Sequence, residues 1–134
     1  MSLFPIFLKL EGRRCVVVGA GKVGEPKIES LLTAHAEVLV VAPEATTEVK
    51  AWADAQLITW HRRAFEPSDL DGAALVITAT ASQAVNQSVF TEAKQRGILC
   101  NSVDDPERCD FFYPAVVRRG DFQVAISTAG HSPA

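Results

Sequence analysis

The sequence has 134 residues, of which 48% are hydrophobic and 22% charged, with a formal net charge of -3. This size and composition are typical of one globular domain with a buried core. The acidic balance gives no reason to expect nucleic acid or an anionic membrane as a partner, and no apolar run approaches the roughly 20 residues of a membrane span.

The chain begins with an apolar stretch at residues 4–10 that contains Pro5, which predicts a short edge strand. The stretch lacks the basic leader and cleavage site of a signal peptide. Cys15 to Val18 follow without polar alternation, which predicts a parallel strand covered on both faces. The three cysteines show no zinc-site spacing, so we expect buried thiols in a cytoplasmic protein and no metal ligands.

Gly19, Gly21 and Gly24 follow this strand in the spacing G-x-G-x-x-G. The first glycine allows a tight turn, the second lets the backbone approach a pyrophosphate, and the third lets helix and strand pack closely. The pattern therefore predicts a dinucleotide-binding loop; the alternative is a plain strand-to-helix turn. Because Pro26 fits only a first helical turn, the regular helix is predicted to begin at Gly24 or Glu25.

Strands and helices then alternate along the chain. Further strands are predicted at 37–41, 57–61, 74–78 and 98–100. One helix is predicted from a cap at Thr46 or Thr47 to about 54, and another from a cap at Ser82 over 83–96, where Gly97 ends it. This alternation predicts an α/β fold, a Rossmann-like doubly wound parallel sheet with strand order 3-2-1-4-5. Residues 111–113, 115–117 and 122–127 are strand-like, and Arg119-Gly120-Asp121 predicts a hairpin turn.

A dinucleotide fold commonly places a carboxylate at the end of the second strand to hold the adenosine ribose. The nearest acid here is Glu44, so ribose contacts are expected from Glu44 and from the backbone at Pro43. A first-turn charge on the next helix explains Glu44 equally well. No Arg or Lys follows the strand directly, which favours NAD over NADP.

Two segments follow the fourth and fifth predicted strands, where the reacting groups of an open α/β sheet gather. The first is 78–82, in which Thr80 is a candidate cofactor contact. The second is 101–106, where Asp104 and Asp105 offer a general acid or base beside a nicotinamide. The alternative for Asp105 is an Asx turn before Pro106.

Five motifs now stand in order over nearly the whole chain: Leu-Phe-Pro-Ile-Phe at 3–7, Val-Val-Gly-Ala-Gly-Lys-Val at 17–23, Val-Val-Ala-Pro-Glu at 40–44, Asn-Ser-Val-Asp-Asp-Pro at 101–106 and Ser-Thr-Ala-Gly-His-Ser-Pro at 127–133. In this the chain resembles the N-terminal domain of siroheme synthase. That family comprises precorrin-2 dehydrogenases, some of which are also sirohydrochlorin ferrochelatases.

The resemblance implies NAD-dependent oxidation of precorrin-2 to sirohydrochlorin by a homodimer, with insertion of ferrous iron in bifunctional members. It also assigns roles to matching positions: NAD binding to Lys22, Val23, Pro43 and Glu44, catalysis of both reactions to Asp104, and contacts with substrate carboxylates to Arg119, with Thr128 keeping a hydroxyl of the family's pattern.

The chain departs from the family at three points. Gly24-Glu25-Pro26-Lys27 replaces Ala-x-Arg-Lys, and Ser127-Thr128-Ala129-Gly130 lacks one glycine of the usual pattern. Relatives continue into a helical region that completes the dimer, and we expect this region to be missing here. The expected domains are thus an NAD-binding unit at 1–110 and a truncated start of the dimerisation region at 111–134. A second hypothesis is therefore an NAD-binding module without tetrapyrrole turnover. His131 stands alone and is not predicted to bind metal.

Overall fold

A computed structural model describes residues 2–128. Its strands are β1 (Arg14–Val18), β2 (Glu37–Val41), β3 (Thr59–His61), β4 (Leu75–Thr78), β5 (Leu99–Ser102), β6 (Ala115–Arg119) and β7 (Phe122–Ile126). Its helices are α1 (Gly24–Thr33), α2 (Thr47–Asp54) and α3 (Gln83–Arg96), with short 3-10 turns at Pro67–Leu70 and Pro106–Arg108.

The first five strands form one parallel sheet in the order β3-β2-β1-β4-β5, which confirms the predicted order. Val18 at the end of β1 pairs with Val41 on one side and Thr78 on the other. The strand order reverses between β1 and β4, and a crevice at such a reversal is where open α/β sheets bind ligands.

The sheet is covered on both faces, as a doubly wound fold requires. Alternate residues along β1 point to opposite faces: Val17 packs with Ile28 of α1 and Val49 of α2, whereas Val16 packs with Val89 of α3. Burial of each such side chain stabilises the fold by about 1.5–3 kcal/mol.

The predicted caps explain where the helices begin and end. The Thr46 hydroxyl accepts a hydrogen bond from the Val49 amide, and the Ser82 hydroxyl accepts one from the Val85 amide. Gly97 ends α3 in the left-handed conformation, with φ of 70°. The helix α1 begins at Gly24, one of the two predicted starts.

The predicted edge strand at 4–10 is wrong: residues 2–10 have no regular secondary structure. Pro5 provides no N–H for a ladder, and Phe4 and Phe7 are 86% and 70% exposed instead of packing on a sheet. Only Leu10 at the end of this stretch is buried.

Two other predictions need correction. Residues 111–113 do not form a strand. The Phe111 carbonyl accepts a hydrogen bond of 2.8 Å from the Asn101 side-chain amide instead of one from a neighbouring strand. The fifth strand begins at Leu99 and continues to Ser102, so Asn101 and Ser102 are buried strand residues.

Strands β6 and β7 form a separate antiparallel hairpin closed at Arg119↔Phe122, as the turn signal predicts. The division of the chain at residue 110 stays a prediction.

Candidate functional site

The bend after β1 is compact at two of its three glycines. Gly19 has φ of 106°, and a Cβ there would lie 2.7 Å from the Ala79 carbonyl oxygen. A Cβ on Gly24 would lie 2.5 Å from the Gly19 oxygen. Gly21 is exposed, and no described atom lies within 4 Å of where its Cβ would stand. The loop therefore presents bare backbone at Gly21.

The N-terminus of α1 opens at this same bend. Lys22 and Val23 are exposed beside it, and no described side chain caps the helix. The Glu25 N–H donates to the Gly21 carbonyl at 3.0 Å, and Pro26 has no N–H. The amides of Lys22, Val23 and Gly24 therefore remain for a ligand among the described residues. These amides and the positive end of the helix dipole suit a phosphate. These residues therefore have the geometry expected of a pyrophosphate-binding loop.

The end of β2 carries the two residues predicted to contact the ribose. Pro43 and Glu44 are both exposed, and Arg62 lies next to them, with its Nη2 atom 3.9 Å from Glu44 Oε2. The Trp60 indole donates a hydrogen bond of 2.9 Å to the Ala42 carbonyl and holds this strand end in place. Sequence reasoning missed Arg62, because it follows the neighbouring strand β3 and only the sheet brings it beside Glu44.

Hydrogen bonds with Asn86 hold the loop after β4 against α3. Asn86 is a second residue that sequence reasoning missed. Its side-chain oxygen accepts hydrogen bonds of 2.7 Å from the hydroxyls of Thr78 and Thr80, and its amide donates to the Thr80 carbonyl at 3.0 Å. Thr80 thus lies at the crevice with its hydroxyl turned into the loop. A polar residue among the apolar positions of α3 was the available signal.

Asp104 and Asp105, adjacent in sequence, differ in their surroundings. Asp104 is exposed in the left-handed region with φ of 65°, which Asp and Asn tolerate best after glycine. Asp105 is half-buried and forms an ion pair of 2.7 Å with Arg108. Val103 donates its N–H to the Thr78 carbonyl at 3.0 Å, which ties this turn to the end of β4. Asp104 is therefore the carboxylate presented to solvent at the crevice edge.

Lys27 of α1 faces the same edge. Its ammonium lies 3.8 Å from the centroid of the Tyr113 ring, and the Tyr113 hydroxyl lies 3.1 Å from Ser30 Oγ. Burial lowers the pKa of the Lys27 amine, and the negative charge of Asp104 opposes this. The crevice edge thus combines a cation with an exposed carboxylate.

The cysteines are not activated nucleophiles. Burial raises the pKa of the Cys15 thiol to about 11 and of Cys100 to about 12. Burial also raises the pKa of Cys109. All three stay protonated near neutral pH.

The structure does not bring together the two predicted substrate contacts on the hairpin. Arg119 stands at its closed end, whereas Thr128 follows β7 beyond the open end. Four residue steps of extended strand, about 13 Å, separate these ends. Both residues are exposed.

Residues 2–128 hold no group of three or more His, Cys, Asp or Glu placed to bind a metal. The same residues hold no helix with the length and apolarity to cross a bilayer. His131 and most of the motif at 127–133 lie outside the described residues.

Comparisons with known proteins agree with this geometry. A family model described as putative NAD(P)-binding matches residues 6–115. The chain is 43% identical over 133 residues to a siroheme synthase of Photorhabdus laumondii and 44% identical to one of Methylococcus capsulatus. Each match covers 99% of this chain and 28% of the relative, so the chain spans little more than a quarter of these curated relatives.

Two solved structures share the fold. A protein titled SirC, precorrin-2 dehydrogenase, superposes with a TM-score of 0.86 at 30% identity, covering 98% of this chain and 64% of that one. A formate dehydrogenase superposes with a TM-score of 0.54 at 16% identity, covering 77% of this chain and 27% of that one, which shows the fold alone.

Proposed function

Since the chain belongs to the family of putative NAD(P)-binding domains and corresponds to the N-terminal domain of siroheme synthases, we propose that it oxidises precorrin-2 to sirohydrochlorin with NAD. One observation carries this proposal. The uncapped N-terminus of α1 with its bare glycine backbone, and the exposed carboxylate of Asp104, lie at the same edge of the parallel sheet.

The proposed cofactor contacts follow the strand ends. Gly19, Gly21 and Gly24 shape the loop that holds the pyrophosphate, with Lys22 and Val23 beside it. Pro43 and Glu44 would hold the adenosine ribose, and Thr80 would contact the cofactor from the loop after β4. When bound, NAD supplies the acceptor for a hydride.

Asp104 is proposed to take the proton that leaves the macrocycle as its hydride departs. The exposed position of Asp104 supports this role, whereas the carboxylate of Asp105 is held by Arg108. Precorrin-2 and sirohydrochlorin carry several carboxylate arms, which favours nearby cations. We assign arms of the substrate to Lys27 and Arg119, with a further polar contact from Thr128.

An anaerobic assay of precorrin-2 oxidation, followed by NADH absorbance, tests the proposal. We expect Asp104→Asn to slow turnover about 100-fold or more while NADH affinity changes little. Asn accepts the left-handed backbone, so the fold should be retained. Asp105→Asn is the matched control and should keep most activity. Equal activity in Asp104→Asn and in the unmodified chain would show that Asp104 is not catalytic. If the unmodified chain binds NADH but does not oxidise precorrin-2, the chain is an NAD-binding module.

Ferrous iron is proposed as a second substrate. A metal entering sirohydrochlorin displaces pyrrole protons, and the exposed Asp104 carboxylate can accept them. If Asp104→Asn inserts iron as fast as the unmodified chain does, this second role fails.

We also propose that the chain forms a homodimer through the β6–β7 hairpin and works in the cytoplasm. The hairpin exposes four apolar side chains on one face, namely Val117, Phe122, Val124 and Ile126. Such a face favours association with a second copy. The three free cysteines fit a reducing compartment.

A further inference from the structure

Arg62 lies at the strand end where the 2′-phosphate of NADP, which NAD lacks, would bind. Strands β2 and β3 end side by side, with Val41 opposite His61. Residues 42–44 and Arg62 therefore leave the sheet at the same edge. The Arg62 Nη2 atom lies 3.9 Å from Glu44 Oε2. The guanidinium is thus at the strand end that receives the adenosine ribose in this fold.

Neighbouring side chains orient Arg62 but leave most of it exposed to solvent. Its guanidinium carbon lies 5.4 Å from the centroid of the Trp60 ring, and the Trp60 indole is bonded to the Ala42 carbonyl. The side chain is 62% exposed. The neighbouring Arg63 is different, because Asp69 holds it at 2.6 and 2.9 Å.

Glu44 and Arg62 place opposite charges at the strand end that receives the adenosine ribose. A carboxylate accepts hydrogen bonds from ribose hydroxyls and repels a 2′-phosphate, whereas a guanidinium binds phosphate through paired N–H groups. The pair is weak, because both side chains are exposed and the closest approach is 3.9 Å.

Building on the cofactor assignment above, we propose that Glu44 and Arg62 together set the choice between NAD and NADP. Glu44 favours NAD because its negative charge, 3.9 Å from Arg62, repels the 2′-phosphate that the guanidinium would otherwise bind. Arg62 is a latent phosphate ligand that acts once the carboxylate is removed. The absence of a cation directly after β2 therefore does not by itself exclude NADP, since Arg62, directly after β3, supplies one.

Titrations of NADH and NADPH, followed by nicotinamide fluorescence, test this inference on the full chain. We expect the unmodified chain to prefer NADH at least tenfold. Glu44→Gln should strengthen NADPH binding about tenfold, and the double variant Glu44→Gln/Arg62→Ala should lose that gain. Arg13→Ala, at the opposite end of the sheet, removes the same charge and should leave both affinities unchanged in the Glu44→Gln background.

Two results would overturn the inference while NAD binding stands: NADPH affinity unchanged in Glu44→Gln, or a gain that survives Arg62→Ala. Binding of neither nucleotide to the unmodified chain would overturn the cofactor assignment itself, and this inference with it. Circular dichroism of each variant checks that the fold is intact.

Discussion

In the loop after β1, Gly21 differs from Gly19 and Gly24 in what a side chain would meet. The two buried glycines pack against backbone, so a methyl group at either has no room. Gly21 faces open space, and its φ is not in the left-handed range. Nothing in the described chain requires glycine there, and the proposed close approach of a pyrophosphate accounts for it.

We predict that Gly21→Ala and Gly24→Ala separate binding from stability. Gly24→Ala should lower the free energy of unfolding by about 1–3 kcal/mol, because its Cβ meets the Gly19 carbonyl. Gly21→Ala should leave stability unchanged or raise it by up to about 1 kcal/mol. It should nevertheless weaken NADH binding about tenfold or more. Urea unfolding and NADH titration measure the two effects.

A Gly21→Ala variant that binds NADH as tightly as the unmodified chain would show that no pyrophosphate lies over this residue. A Gly24→Ala variant with unchanged stability would contradict the packing described for the bend.

The loop glycines were predictable because their spacing lies within one strand–turn–helix unit. Arg62 was not, because only the folded sheet brings it close to Glu44. Asn86 shows in the sequence only as a polar residue among apolar positions of α3, without its partners Thr78 and Thr80. The geometry within one loop can therefore be predicted from sequence, and contacts between elements need the structure.

At the scale of elements, the link from β3 to β4 is held by one buried acid. Asp69 is 4% exposed and bonds Arg63 twice, and it also accepts the Glu66 amide at 2.8 Å. Burial opposes ionisation of Asp69, but the hydrogen bonds from Arg63 and the Glu66 amide outweigh it and lower its pKa. His61 Nδ1 lies 3.6 Å from the same carboxylate.

We predict that Asp69→Asn destabilises the fold by about 1–2 kcal/mol near pH 7, since Arg63 remains partly in water. A carboxyl whose pKa is lower when folded stabilises the protein above its unfolded pKa, and this is lost as pH falls. The stability gap between the two proteins should therefore be constant down to about pH 5 and close below about pH 4. Urea unfolding across pH measures it.

The control for this prediction is Asp71→Asn, which removes an exposed acid paired with Arg96 and should change stability little. A gap that persists unchanged at low pH would mean that the charge of Asp69 does not contribute.

Element boundaries were predicted best where local chemistry fixes them. The caps at Thr46 and Ser82 and the stop at Gly97 all came from side-chain or backbone properties of single residues. The strand predicted at 4–10 is wrong because apolar residues do not by themselves show that a stretch packs on the sheet, and here Phe4 and Phe7 stay exposed. The strand predicted at 111–113 is also wrong, because the hydrogen bond from Asn101 to the Phe111 carbonyl joins residues ten positions apart and could not be predicted from the local sequence.

At the scale of the whole molecule, the hairpin divides into two faces that predict how two copies meet. Directly opposed residues share a face in an antiparallel pair, so Val117 and Val124 lie on one side and Arg118 and Gln123 on the other. Val117 and Phe122 on the apolar side are 56% and 69% exposed. This side is the surface expected to contact the partner.

We predict that Val117→Asp weakens self-association at least tenfold, because it places a charge at the centre of the apolar side. Gln123→Asp adds the same charge to the other side and should leave association unchanged. Sedimentation equilibrium measures both. A monomeric unmodified chain would reject the dimer, whereas a Val117→Asp variant as dimeric as the unmodified chain would move the interface elsewhere.

The closed end of the hairpin carries Arg119, and Thr128 follows the open end, about 13 Å away along the strands. The two residues can therefore contact one tetrapyrrole only through separate arms or from both copies. Loss of the dimer should therefore raise the KM for precorrin-2 more than it changes NADH affinity.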